Sequence, residues 1–201
     1  EDAPVPVEKA LEGTGFLEGL RSTVYLRLLI ASLLFTFTII ALVVHFLPIL
    51  QAGGIDAIRA SEIAALIGLF SIAGRLGTGL LLDRFRASWV GAVAGCMLLV
   101  AFGSSTMAAM LAASLIGLTL GAEIDVIVYL TTKHFGLKSF GALYGGLLAA
   151  LSIGTATGPL GAAHVFDKFG SYDNFLWLTV GFMVASSLAL LSLPKPSFSS
   201  K

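Results

Sequence analysis

Charge is scarce in this sequence, and so is sulfur. Asp, Glu, Lys and Arg make up 12% of the 201 residues, about half the roughly 25% share of a soluble domain. That scarcity excludes an ordinary solvated surface. With a mean hydropathy of +0.95 it predicts an integral membrane protein. Twelve basic and twelve acidic side chains cancel, so no nucleic-acid partner is implied. The single cysteine, Cys96, excludes an internal disulfide and is silent on redox compartment. Three histidines, His45, His134 and His164, are too scattered to propose a metal site. Neither a His-Glu-x-x-His helix nor a Gly-x-Ser-Gly turn occurs. The chain is therefore read as a non-enzyme with no cofactor. The opening EDAPVPVEKALEGTG is too polar for a signal peptide. It begins with Glu1 rather than Met, so the chain is expected to start inside something longer.

What is present is a series of long apolar runs. Residues 1–24 hold three glycines, two prolines and five acids and read as a cytoplasmic linker-like lead-in. A short surface helix is expected over Gly19–Arg27. Leu28 to Ile55 then runs for 28 residues without Asp, Glu, Lys or Arg. A membrane crossing needs about 20, so a first span is predicted near 25–48, ending by Gly53-Gly54. Ser61-Glu62 is expected to cap a second span running to Leu82. Ala87 to Ala122 gives 36 further residues without charge. One helix of that length would be about 54 Å long, against a hydrocarbon core of about 30 Å. It must fold back, and Gly103-Ser104-Ser105-Thr106 is the expected turn. The third span is placed near 88–104, the fourth near 107–131, the fifth near 140–166 and the sixth near 174–193, before Pro194 and Pro196. Residues 25–195 form the transmembrane unit and 196–201 a cytoplasmic tail.

Basic residues set the orientation. With the N-terminus inside, the inner loops and tails hold nine: Lys9, Arg21, Arg27, Arg84, Arg86, Lys133, Lys138, Lys195 and Lys201. The outer loops hold two, Arg59 and Lys168. Both termini are expected to be cytoplasmic in a multi-pass plasma (inner) membrane protein. In the fifth span Gly141, Gly145, Gly154, Gly158 and Gly161 recur at helical spacing, and Pro159 interrupts them. That pattern suits close helix contact, or flexing of this helix during a conformational cycle.

Three charges fall inside the spans. Arg75 lies in the glycine-rich SIAGRLGTG, about 20 Å from the outer start of its helix. A guanidinium holds a carboxylate with two parallel hydrogen bonds. Substrate binding is one reading of Arg75; the other is a structural ion pair with an acid on another span, or with Asp83. Glu123 and Asp125 lie about 15 Å from Lys133, near mid-membrane. Two residues apart on a helix, they differ by about 200° and do not share a face. A carboxyl in low dielectric favours its protonated form. At least one of the two is a candidate proton carrier, against a packing role or a pairing with Arg75.

Gly79-Leu80-Leu81-Leu82-Asp83-Arg84 resembles the Gly-x-x-x-Asp-Arg loop of the major facilitator superfamily. That loop joins the second and third helices of each six-helix half. Arg86 stands here where the pattern continues with Gly, followed by Ala87 and Ser88. Three stretches resemble the monocarboxylate-porter and oxalate/formate-antiporter branch: Gly121–Gly145, Phe166–Phe175 and Arg75 in SIAGRLGTG. The resemblance implies that Arg75 binds a substrate carboxylate. Ser71 stands where members of this branch often carry an acid, so Glu123 or Asp125 would take over proton coupling. Oxalate carriers add a lysine in the eleventh helix, and no lysine lies between Lys138 and Lys168. One intramembrane cation suits a monocarboxylate.

The resemblance spans residues 20–195 and matches the C-terminal six helices of a twelve-helix carrier. It implies an all-α membrane fold of six spans in two inverted three-helix repeats, about 25–106 and 107–195. The expected activity is alternating-access transport of a small monocarboxylate with a proton. Arg75 and Ser71 would bind substrate, and Gly79, Asp83 and Arg84 would form the cytoplasmic gate loop. The expected partners are a small organic anion, a proton, the lipid bilayer, and an N-terminal six-helix half or a second copy. Two alternatives remain: an organic-anion exchanger without proton coupling, and a non-transporting half-carrier or assembly module.

Overall fold

In a computed structural model of the chain, residues 12–81, 105–196 and 198 are described. Regular structure among them is helical. The helices are α1 (Phe16–Arg21), α2 (Thr23–Ala52), α3 (Ala57–Leu81), α4 (Thr106–Phe135), α5 (Phe140–Phe169) and α6 (Asp173–Leu191). Five of them, α2 to α6, are long and apolar enough to cross a membrane. A helix satisfies its own backbone groups, which is what a segment in hydrocarbon must do. The span expected near 88–104 lies outside the described residues, as do Asp83 and Arg84.

Several boundaries move from their expected places, each for a local reason. The second span is capped by Asp56 and not by Ser61-Glu62. Asp56 Oδ1 accepts from the Ile58 and Arg59 amides, both at 3.1 Å, and the helix starts at Ala57. An acceptor side chain at a helix start satisfies amides that have no partner within the helix. At the other end of the chain's first crossing, α2 continues past Pro48 to Ala52. The missing proline N–H there costs only one bond near the helix end. The short lead-in helix covers 16–21 and not 19–27, because Ser22 breaks it. Ser22 Oγ donates to the Gly19 carbonyl at 2.7 Å and accepts from the Tyr25 amide at 3.1 Å. One hydroxyl thus closes α1 and opens α2.

The bundle rests on two helix pairs, α2 with α5 and α3 with α4. In lipid, apolar surface alone does not drive helices together, so close van der Waals contact has to. Glycines supply it. A Cβ on Gly158 of α5 would lie 2.2 Å from the Phe37 carbonyl oxygen of α2. On Gly154 it would lie 2.8 Å from the Leu33 oxygen. Of the five glycines singled out by spacing, Gly154, Gly158 and Gly161 meet α2, while Gly141 and Gly145 have open space. Pair α3–α4 uses Gly74, Gly117 and Gly121 in the same way. Helix α6 lies along α2, where Ser186 Oγ donates to the Ala31 carbonyl at 2.8 Å. Phe35, Ile39, Leu42 and Phe46 of α2 are fully buried among these neighbours.

The end of the bundle near the α4–α5 turn is fastened by main-chain bonds. Thr14 N–H donates to the Phe135 carbonyl at 2.8 Å, and Leu137 N–H donates to the Glu12 carbonyl at 2.9 Å. Phe198 N–H reaches the Lys133 carbonyl at 3.0 Å. Gly136, at φ +68°, makes the turn, and a Cβ there would stand 2.5 Å from the Glu12 oxygen.

Candidate functional site

A cavity of about 720 Å³ opens between α2, α3, α4 and α5. Its polar wall is Thr36 from α2, Ser71 and Arg75 from α3, Glu123 from α4, and Ser152 and Thr155 from α5. The rest is aliphatic, including Ile40, Leu120, Ile124, Leu148 and Leu151. A mostly apolar pocket with a few convergent polar groups is the usual form of a small-molecule site.

The α3–α4 contact brings the two charged residues together. A Cβ on Gly121 would lie 2.0 Å from the Ser71 carbonyl oxygen and 2.8 Å from the Arg75 amide nitrogen. Only glycine lets the backbones approach this closely. The contact point sits between Ser71 and Arg75 on one helix and two residues before Glu123 on the other. Arg75 and Glu123 therefore line the same cavity from adjacent walls.

They do not pair with each other. The one ion pair among the described residues, Arg59 with Asp56 at 3.8 Å, lies at the other end of α3. Arg75 is exposed, whereas Glu123 is buried with 7% of its surface accessible. Glu123 Oε1 instead meets Thr36 Oγ1 at 2.7 Å. Ser71 Oγ donates to the Gly68 carbonyl at 2.7 Å, and Ser152 Oγ donates to the Leu148 carbonyl at 2.9 Å. Both hydroxyls have spent their hydrogen on the backbone and keep acceptor lone pairs.

Asp125 is separated from this group. It is half-buried and does not line the cavity. The two acids thus lie on different faces, as their spacing requires. Gly79 belongs to α3, while its expected partners in the gate loop, Asp83 and Arg84, lie outside the described residues.

No group of histidines, cysteines and acids among the described residues has the geometry of a metal site. His164 is exposed, and His134 is buried beside Phe135. His45 is different. Its Nε2 lies 3.1 Å from the Pro159 carbonyl and its Nδ1 lies 3.0 Å from the Tyr172 hydroxyl. A carbonyl only accepts, so Nε2 carries the hydrogen in that bond. Burial, with Asp167 adding to it, pushes the Tyr172 phenol above its ordinary value. It remains a donor. His45 thus ties α2 to the α5 proline and to the turn before α6.

Sequence reasoning missed Thr36. The signal was slight, since a threonine in an apolar helix ordinarily bonds its own backbone. No protein-family model and no curated protein matches the chain.

Proposed function

We propose that this chain is the six-span half of a major facilitator superfamily carrier that moves a small monocarboxylate together with a proton. The observation that carries the reading is one cavity lined by an arginine and a buried glutamate, neither of them in an ion pair among the described residues. An intramembrane charge is expensive and by default marks a substrate or ion pathway. Among the described residues Arg75 has no carboxylate within ion-pair distance, and it is exposed on a cavity of about 720 Å³. It would bind the carboxylate through two parallel hydrogen bonds. Glu123, desolvated and within hydroxyl contact of Thr36, would take the proton, with Ser71 completing the substrate wall. Substrate and proton together would neutralise both charges, which lowers the cost of moving the cavity through a closed state.

In this reading the chain is built of two inverted three-helix repeats, about 25–106 and 107–195, and moves as a unit against a second six-helix unit around the site. Both termini face the cytoplasm, and Gly79, Asp83 and Arg84 close the cytoplasmic side. The face carrying Arg75 would be covered by a second six-helix unit, either the N-terminal half or another copy. Residues 1–24 would lead in from it. No catalytic step is proposed.

The test is uptake of labelled lactate or pyruvate into vesicles carrying the full carrier. Arg75→Gln should lower uptake about 10- to 100-fold, from the loss of one charge-assisted bonding group. Unchanged uptake would overturn the substrate role. Uptake that ignores a pH gradient but requires a counter-anion would replace proton coupling with exchange.

A further inference from the structure

The Thr36 hydroxyl stands between two acceptors. Its oxygen lies 2.9 Å from the Ser32 carbonyl of its own helix and 2.7 Å from Glu123 Oε1. Both distances suit a full hydrogen bond. A hydroxyl has one hydrogen and two lone pairs. It cannot donate to both acceptors at once.

Hydrogen-bond arithmetic therefore separates two states. With Glu123 ionised, Thr36 donates to the carboxylate, and the Ser32 carbonyl keeps only its backbone partner. When Glu123 is protonated, the acid O–H donates to Thr36 Oγ1, and the Thr36 hydrogen turns to Ser32. The proton enters from the cavity onto the carboxylate. Beyond that, no covalent bond is made or broken.

We infer that Thr36 is a positioning residue that passes the protonation state of Glu123 to α2, by switching its hydroxyl hydrogen between the carboxylate and the Ser32 carbonyl. This inference rests on the reading of Glu123 as the proton carrier. Bonding from a threonine to the carbonyl four residues back bends a helix. Protonation would thus add a bend at Ser32–Thr36, in the helix that packs against α5, α6 and α3. Few other groups compete. Arg75 is the one charged residue of α3 on this cavity, and α2 and α5 bring only the hydroxyls of Thr36, Ser152 and Thr155 to it. Asp125 of α4 lies off the cavity.

Infrared difference spectra of the full carrier in lipid, taken across a pH step, test this without any substrate. Glu123→Gln identifies the carbonyl stretch of the protonated acid by removing it. Thr36→Val should move that band to higher frequency, because the acid loses its acceptor, while Thr36→Ser should leave it in place. Thr36→Cys keeps a weak partner and should give an intermediate position, which decides the matter if the valine variant does not fold. A band unmoved in Thr36→Val, or in Thr36→Cys where only that variant folds, would overturn the switch and leave Glu123 as proton carrier. Absence of any Glu123 band over the pH range would overturn both.

Discussion

The two helix pairs of the bundle are built on the same device and used differently. In α2–α5 the glycines stand on one helix only, and Phe37 of α2 packs against them. In α3–α4 both helices contribute, Gly74 from α3 and Gly117 and Gly121 from α4. Among the described residues, the most apolar window of α2 is 50% buried within the bundle, and that of α3 only 22%. Among the described helices, α2 has neighbours on several sides, whereas α3 packs mainly on α4. Of the two charged residues of the cavity, Arg75 stands on α3, the least enclosed of these four helices, and Glu123 on α4, the most enclosed at 56%. Their relative position is set by the glycine contacts of α3 with α4, of which Gly121 lies nearest the two residues. The wall that α3 brings to the site can shift while α2, bent or straight, stays paired with α5.

Breaking that contact should have the largest effect. Gly121→Val must push α3 from α4, at a cost of about 3 kcal/mol or more. Thermal unfolding in detergent should show the loss, and uptake should vanish. Gly158→Ala sharpens the comparison, since its Cβ would stand 2.2 Å from the Phe37 oxygen in the other pair. It should cost about 1–3 kcal/mol of stability yet leave anion affinity in the remaining folded protein nearly unchanged. Equal loss of affinity in both variants would erase the functional difference between the pairs.

Smaller effects follow from single hydrogen bonds. Tyr25 donates to the Leu143 carbonyl at 3.0 Å, and Tyr172 reaches His45 at 3.0 Å. Tyr25→Phe and Tyr172→Phe should each cost about 1 kcal/mol, read from unfolding midpoints, with little change in uptake. Smallest of all should be Asp125→Asn. Because Asp125 lies off the cavity, its proton-driven uptake should stay within about threefold of wild type, a coupling change below about 1 kcal/mol. Glu123→Gln should abolish the response to a pH gradient. A reversal of those two results would move the proton site to the other face of α4.

Much of this architecture was legible in the residues. Charge-free runs mark the apolar crossings because a charge in hydrocarbon is costly, and the same rule picked out Arg75, Glu123 and Asp125. The facing of each helix was not legible. When a span is apolar all round, no periodicity says which side meets a neighbour. Spacing put Glu123 and Asp125 on different faces, but only packing shows that Glu123 meets the cavity. Thr36 and Thr38 look alike in sequence. One meets Glu123, and the other is buried with no hydrogen-bond partner for its hydroxyl among the described residues. Glycine spacing drew attention to α5, yet the contact that assembles the cavity is Gly121, whose neighbours lie on a different helix. Asp56 was overlooked as a cap because Ser61-Glu62, one turn later, offers similar chemistry.

The central claim is that Arg75 and Glu123 serve one transport cycle in one cavity, the arginine holding the anion and the glutamate the proton. A double-variant cycle on labelled-lactate uptake with Arg75→Gln, Glu123→Gln and the pair tests it most directly. Residues sharing a site should show a coupling of about 0.5–3 kcal/mol, so that the double variant departs clearly from the product of the two single effects. Single effects that simply multiply, to within about 0.3 kcal/mol, would mean that the two residues work apart, and would contradict the account.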